Sequence, residues 1–185
     1  MSTKDIVLIA LFAALIAVLS LMPPIPLGVI PVPVTLQTLG VMLAGAMLGP
    51  WRGMLACLLY MVLWMLGLPV LPGGRAGLGV LAGPTGGFLV GMVFGALVIG
   101  WMVQRLASPA MAYRGQLLAY CLACLVGGVV VVYAVGIPWL ASVTGIGMQR
   151  AFVGSLAFIP GDVLKAVVTA LVAVQVRRAW PMPLR

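Results

Sequence analysis

Acidic residues are rare and histidine is absent in this chain of 185 residues: only Asp5 and Asp162 are acidic. Without histidine there is no histidine-based catalytic triad or zinc site. Asp162 is the single carboxylate outside the N-terminal segment, and one carboxylate cannot form the pair that an acid–base hydrolase needs. The sequence also lacks a Gly-x-x-x-x-Gly-Lys-Ser/Thr phosphate loop and the charge ring of an ion channel. These absences argue against an enzyme and favour binding or transport.

Charge of either sign is rare, and this predicts an integral membrane protein. Charged residues make up 6% of the chain and hydrophobic ones 64%, with a mean hydropathy of +1.29. The apolar runs are continuous, so α-helices rather than β-strands are expected to cross the lipid bilayer. The net charge of +8 is spread singly between these runs. That spacing indicates membrane topology and not a nucleic-acid partner.

Cysteine is sparse as well, at positions 57, 121 and 124. Cys121 and Cys124 have the C-x-x-C spacing of redox or metal sites. They lie in an apolar run, without histidine or a second cysteine pair, and are interpreted as small packing residues. No metal or other cofactor is therefore predicted.

The apolar runs predict a single domain, residues 1–185, with six transmembrane helices in a compact bundle. Since no Ala-x-Ala cleavage site follows the first run, a span is favoured there over a signal peptide. The predicted spans cover residues 6–22, 35–48, 54–66, 86–106, 116–135 and 160–176.

The basic residues predict that both termini are cytoplasmic. In that orientation only Arg75 and Arg150 lie in outer loops, and the reverse orientation would invert the bias. The residues that fall on the cytoplasmic side are Lys4, Arg52, Arg105, Arg114, Arg177, Arg178 and Arg185.

Two outer loops are unusually apolar. Loop one (residues 23–34) is rich in proline and has no charge, and loop three (residues 67–87) is dense in glycine and proline. Irregular backbone at membrane depth survives where protein buries it or where it lines a cavity. Both loops are therefore predicted to be partly re-entrant over a ligand cavity. Loop one is expected to close over a bound ligand, with Val29 as a reporter position.

Asp162 and Lys165 stand three residues apart at the start of the last span. On a helix they share one face, and a charged pair within an apolar segment indicates a functional site. The alternative is an ion pair that only orients the helix.

Small residues form two patterns at helical spacing. Gly83, Gly87, Gly91 and Gly95 are expected to pack within the molecule. The pairs Ala10–Ala14 and Ala13–Ala17 on the first span are a weaker signal, because alanine is common in membrane helices.

Five segments together resemble the BioY family, the biotin-binding S components of energy-coupling factor (ECF) transporters. They are Val-Pro-Val-Thr-Leu-Gln-Thr (32–38), Leu-Ala-Gly-Ala-Met-Leu-Gly (43–49), Gly-Leu-Pro-Val (67–70), Gly-Pro-Thr-Gly-Gly-Phe (83–88) and Pro-Gly-Asp-Val-Leu-Lys (160–165). The resemblance runs from the first span to the last. This chain departs from the family pattern at Trp64, Leu71 and Phe88, which affects the fine shape of the pocket.

The resemblance implies a six-helix fold in a prokaryotic plasma membrane, with an outward-facing site covered by loops one and three. It implies partners as well: a membrane coupling protein and two ATPase subunits. The family docks the coupling protein on small residues of the first span, here Ala10, Ala13, Ala14 and Ala17.

With biotin as ligand, an ionised Asp162 would accept hydrogen bonds from the ureido N–H groups. Lys165 would donate to the ureido oxygen or to the tail carboxylate. Tyr60 and Trp64 are predicted as apolar wall, and Tyr60 and Gln37 as hydrogen-bonding groups. Thr85, in the Gly-Pro-Thr-Gly-Gly segment, completes the predicted site.

Three alternatives stay open: an S component for another vitamin, a membrane-embedded enzyme acting on lipid, and a structural subunit that needs the ion pair only to fold. The sequence also leaves open whether the chain transports without an ATPase module and whether copies associate as a homo-oligomer.

Overall fold

The fold is a helical bundle, taken from a computed structural model that describes residues 1–26, 28, 30–108 and 110–179. Arg185, which entered the topology prediction, and Val29 lie outside the described residues. The helices are α1 (Thr3–Leu21), α2 (Gln37–Leu48), α3 (Pro50–Met65), α4 (Gly86–Leu106), α5 (Tyr113–Thr144), α6 (Met148–Leu156) and α7 (Ile159–Ala179).

Four of these helices, α1, α4, α5 and α7, are long and apolar enough to cross a membrane. Helices α2 and α3 are apolar but shorter, at 12 and 16 residues. A roughly 30 Å hydrocarbon core needs about 20 helical residues to cross it. The predicted all-helical, multi-pass membrane class is confirmed, whereas the count of six spans stays a prediction.

The prediction was wrong about the region after residue 135. Helix α5 does not end there: it spans 32 residues in all, from Tyr113 to Thr144, and passes through Pro138. Membrane helices tolerate internal proline because neighbouring groups satisfy the freed backbone. Gly145 ends the helix with a φ of 68°, a left-handed conformation that favours glycine.

Helix α6 was not predicted either. It is only nine residues long and carries Gln149 and Arg150, so it gives no membrane-length apolar run. Its small residues Ala151, Gly154 and Ser155 face inward, while Phe152 and Val153 are exposed.

Helices α4 and α5 pack closely through the predicted glycine stripe. A Cβ atom on Gly87 would lie 2.2 Å from the Cβ of Trp139, and one on Gly95 would lie 2.6 Å from the carbonyl oxygen of Gly127. No real side chain fits at such distances, so glycine is what allows the two backbones to approach. The prediction of intramolecular packing is confirmed.

The alanines of α1 divide into two faces, which corrects their grouping into one docking surface. Ala13 and Ala17 are buried in the core, whereas Ala10 and Ala14 are exposed. At 3.6 residues per turn the Ala13–Ala17 pair is rotated by about 60° from the Ala10–Ala14 pair, so one pair lies in the core and the other on the surface. Only Ala10 and Ala14 are available to a partner.

Asp5, the other acidic residue, has partners near the start of α1. It is buried, forms an ion pair with Arg52 at the start of α3, and completes a capping box with Ser2. The pair ties α1 to α3 at the end of the bundle opposite loops one and three. We call the end that carries these two loops the loop end.

Cys57 and Cys124 are buried, Cys121 is half-buried, and all are free thiols. The described residues contain no group of three or more His, Cys, Asp or Glu side chains that could hold a metal. Packing is the role that this placement supports.

Candidate functional site

A cavity at the loop end lies among α2, α4, α5 and α7. The two loops contribute part of its wall, through Val32, Pro33 and Val34 of loop one and Leu71, Pro72 and Arg75 of loop three. The helices contribute mainly apolar side chains and a small number of polar ones. Such a lining is typical of sites for small organic molecules. The helical residues in the lining include Gln37, Thr38, Phe88, Leu89, Met92, Val132, Tyr133, Asp162 and Lys165.

Loop one and loop three are each held by backbone hydrogen bonds. Ile25 and Val34 exchange both N–H···O bonds at 2.9 Å, which joins the two ends of loop one. The carbonyl oxygen of Trp64 accepts from the N–H groups of Gly67 and Gly77, at 3.1 and 2.7 Å. These bonds bring the described residues of both loops over the cavity. Residues of both loops line the cavity, while re-entrance into the membrane and closure over a ligand stay predictions.

The charged centre of the cavity is the pair formed by Asp162 and Lys165 on the first turns of α7. Lys165 Nζ lies 2.9 Å from Asp162 Oδ1, and both residues are buried, with exposed fractions of 7% and 3%. Desolvation of two charges is expensive and is tolerated only when other hydrogen bonds complete the pair. The surroundings of the pair supply such bonds.

Thr38, on α2, joins the two charges. Its hydroxyl accepts a hydrogen bond from Lys165 Nζ at 2.9 Å and donates one to Asp162 Oδ1 at 3.2 Å. An ammonium group has three N–H donors. Among the described residues, Thr38 and Asp162 use two of these, so one is left for a ligand that lies in the cavity.

Tyr133, on α5, binds the other carboxylate oxygen of Asp162. Its hydroxyl donates to Asp162 Oδ2 at 2.7 Å. Within the described part of the chain Asp162 thus accepts three hydrogen bonds, two on Oδ1 and one on Oδ2. A carboxylate offers about four lone-pair sites. One acceptor site, on Oδ2, is left for a ligand.

Three aromatic rings form the wall beside the carboxylate. Phe88, Tyr133 and Phe158 meet edge to face, with ring centroids 6.1 to 6.4 Å apart. Each ring comes from a different part of the chain: α4, α5 and the turn before α7. Edge-to-face contacts restrict the orientation of each ring. Phe88 is one of the three residues at which the chain departs from the family pattern, and it lines the cavity, as Leu71 does.

The structure brings four of the six predicted site residues into the cavity lining: Gln37, Thr85, Asp162 and Lys165. Thr85 is notable because its Oγ1 is buried and has no hydrogen-bond partner among the described residues. A buried hydroxyl without a partner is costly, so a ligand group is a natural partner for it. The contacts of these four residues with a ligand stay predictions.

Tyr60 and Trp64 do not line the cavity, which corrects their assignment to its wall. The Tyr60 hydroxyl shares a hydrogen bond with Ser20 Oγ at 2.8 Å, accepts one from Gln37 Nε2 at 3.1 Å and donates to the carbonyl of Val70 at 3.1 Å. These bonds use its hydrogen-bonding capacity and join α1, α2 and loop three. Trp64 is fully buried in the core behind the cavity. Apolar spacing alone does not distinguish the cavity wall from the layer behind it.

Sequence reasoning missed Thr38, Arg75, Tyr133 and Phe158, which all line the cavity. The sequence could have indicated Thr38, because it is the last residue of the Val-Pro-Val-Thr-Leu-Gln-Thr segment. It could also have indicated Arg75, because this is the only charged residue of an apolar loop. Tyr133 lies within the predicted fifth span, but nothing in the sequence showed that its side chain faces the cavity. Phe158 lies in the turn before α7, outside every predicted span.

Comparisons with known proteins agree with one another. The BioY family model matches residues 1–182. The biotin transporter BioY of Rhizobium etli is 54% identical over 182 residues, which are 98% of this chain and 97% of the relative. The biotin transporter BioY of Rhodobacter capsulatus is 47% identical and covers the same shares of the two chains.

A solved structure shares the fold as well. It is the crystal structure of the S-component for biotin from an ECF-type ABC transporter, with a TM-score of 0.86 and 34% identity. The match covers 96% of this chain and 95% of that chain. Family model, relatives and structure extend over nearly the whole sequence, and this chain therefore belongs to the BioY family.

Proposed function

We propose that this chain is the biotin-binding S component of an ECF-type uptake transporter in a prokaryotic plasma membrane. The observation that carries the proposal is the buried pair of Asp162 and Lys165 in a largely apolar cavity, with one acceptor site and one N–H donor still available. The names of the relatives point to the same ligand.

The ureido ring of biotin matches the available groups. One edge of the ring presents an N–H beside a carbonyl oxygen. The N–H donates to Asp162 Oδ2, and the carbonyl accepts from the free N–H of Lys165. Both are charge-assisted hydrogen bonds, which are shorter and stronger than neutral ones. Gln37 and Thr85 line the cavity, and the side-chain oxygen of either can accept a hydrogen bond from the second N–H. The aromatic rings of Phe88 and Phe158 form an apolar surface for the thioether ring.

The carboxylate tail of biotin is assigned to Arg75 in loop three. Arg75 lines the cavity but is exposed, so it lies at the cavity mouth, whereas Asp162 is buried. Its Nε donates to the carbonyl of Pro72 at 3.1 Å, which orients the guanidinium, and the terminal nitrogens carry further donors. Guanidinium groups bind carboxylates through two parallel N–H···O bonds. This assignment leaves Lys165 for the ureido ring.

The topology follows from where the charges lie. Lys4, Arg52, Arg105 and Arg114 lie at the ends of helices opposite the loop end, as do Arg177 and Arg178. Arg75 and Arg150 lie at the loop end. We infer that both termini are cytoplasmic, that the cavity opens outward, and that α2 and α3 complete six crossings with the help of the adjoining buried loops.

ATP-driven uptake by this chain requires partners, because the sequence has no phosphate loop. We infer a membrane coupling protein with two ATPase subunits, docked in part on the exposed Ala10 and Ala14 of α1. Small residues on an exposed helix face let a second helix approach its backbone. No residue of α1 lines the ligand cavity, so docking and ligand binding use separate surfaces.

Asp162→Asn is expected to weaken biotin binding about tenfold to a hundredfold, because it removes a charge-assisted hydrogen bond of about 1.5–3 kcal/mol. Titration calorimetry of the purified protein in nanodiscs measures the affinity. Asp5→Asn is the matched control: it changes the other buried carboxylate, at the opposite end, and should lower the melting temperature with little change in affinity.

No heat from the unchanged protein at micromolar biotin would refute the biotin assignment. Unchanged affinity in Asp162→Asn, together with a lower melting temperature, would assign the pair to folding alone.

Arg75→Gln is expected to weaken biotin binding about tenfold and to leave the methyl ester of biotin nearly unaffected, because the ester has no charge for the guanidinium to bind. Competition against labelled biotin gives both affinities. Arg150→Gln, at the other arginine of the loop end, should change neither. If Arg75→Gln weakened acid and ester by the same factor, the tail would have another partner.

Leucine at both Ala10 and Ala14 is expected to abolish co-purification with the coupling protein and ATP-dependent uptake, while biotin affinity stays the same. The added side chains hold a partner helix away from the α1 backbone. Ala13→Leu is the contrasting variant: Ala13 is 1% exposed, so overpacking should cost about 1–3 kcal/mol of stability. Normal co-purification of the double variant would exclude docking on this face.

A further inference from the structure

Tyr133 makes the shortest hydrogen bond to the carboxylate at the centre of the cavity. Its hydroxyl lies 2.7 Å from Asp162 Oδ2, whereas Lys165 and Thr38 contact Oδ1 at 2.9 and 3.2 Å. The charge of Asp162 is already paired with Lys165 without Tyr133. The contact of Tyr133 therefore affects something else: the orientation of the carboxylate and the number of acceptor sites that face the cavity.

The backbone of α5 places Tyr133 there by an irregular turn. Residues Val126–Val131 form a π-helical turn within the otherwise α-helical span. Such a turn accommodates one extra residue, so without it the following residues would be rotated by about 100° and would advance by about 1.5 Å. In a regular α-helix of the same sequence, Tyr133 would point away from Asp162. π-Helical turns are frequent at functional sites.

The turn is fixed by close packing on two neighbouring helices. A Cβ atom on Gly127 would lie 2.4 Å from the side chain of Ile99 on α4, and one on Gly128 would lie 2.4 Å from Met42 on α2. The ring of Tyr133 is restricted too, by edge-to-face contacts with Phe88 and Phe158 at interplanar angles of 80° and 83°. Backbone and ring together hold the hydroxyl in one place.

We propose that Tyr133 is a positioning residue that sets the ligand specificity of this cavity, by occupying one of the two lone-pair sites of Asp162 Oδ2. The inference rests on the proposed function. With Tyr133 in place, Asp162 accepts a single N–H from a ligand, and the neighbouring donor of Lys165 requires an acceptor beside that N–H. A urea edge, N–H next to C=O, satisfies both groups.

A guanidine in place of the urea does not satisfy them. Its edge presents two N–H donors, and it is protonated at neutral pH, as guanidines are. One donor can bind Asp162 Oδ2, but the other meets the Lys165 ammonium, which is itself a donor and carries the same charge. Binding that leaves donors unpaired is disfavoured, and this is the strongest form of discrimination that a polar site has. Without the Tyr133 hydroxyl, Oδ2 has a second site for the extra donor.

The test compares biotin with 2-iminobiotin, in which a guanidine replaces the urea, on the full chain in nanodiscs. Tyr133→Phe keeps the ring and its contacts and removes only the hydroxyl. We expect it to weaken biotin binding about tenfold and iminobiotin binding by clearly less, so that the ratio of the two affinities falls at least about threefold. Tyr120→Phe is the matched control, since Tyr120 is buried in the core at the opposite end of α5. It should leave the ratio unchanged.

The possible outcomes separate the two claims. If the unchanged protein does not bind biotin, the proposed function fails first. If it binds biotin and Tyr133→Phe has the same affinities, the specificity role of Tyr133 is wrong while the biotin assignment stands. If both ligands lose the same factor and the melting temperature falls, Tyr133 only supports the structure, and the proposal is overturned as well.

Discussion

The buried ion pair of Asp162 and Lys165 is the interaction on which the site depends. Removing both charges from water costs several kcal/mol for each ion, and a pair of this kind rarely repays that cost by attraction alone. Here Thr38 bridges the two charges and Tyr133 binds the remaining carboxylate oxygen. The arrangement leaves one donor and one acceptor toward the cavity. These are the two groups that the proposed binding of a ureido ring requires.

The rest of the fold brings the partners of this pair together. Thr38, Tyr133 and the pair itself lie on three different helices, so their positions are set by helix packing. The glycines of α4 and α5 allow the two backbones to approach, and the π-helical turn then rotates Tyr133 toward Asp162. Tyr60 joins α1, α2 and loop three with one hydroxyl. Polar groups buried among apolar helices thus specify how the helices are arranged, which hydrophobic contacts alone do less well.

Much of this could be predicted from the sequence, for identifiable reasons. Long apolar runs predicted α1, α4 and α7, and the rare charges pointed to Asp162 and Lys165. Other features could not be predicted. Helix α5 continues past its predicted end through Pro138, a residue that usually breaks helices. The register of the π-helical turn leaves no pattern in the sequence, and apolar spacing does not distinguish Tyr60 and Trp64 from residues that line the cavity. Ala10 and Ala13 differ only in the helix face on which they lie, and only the packing of α1 shows which of the two faces is buried.

The most direct test of the central claim is a structure of this protein with biotin bound. We expect a ureido N–H within hydrogen-bonding distance of Asp162 Oδ2 and the ureido oxygen within hydrogen-bonding distance of Lys165 Nζ, with the Asp162–Lys165 contact kept. Biotin bound elsewhere in the chain would contradict the account. So would biotin in this cavity with its ureido ring at the mouth and its carboxylate beside Lys165.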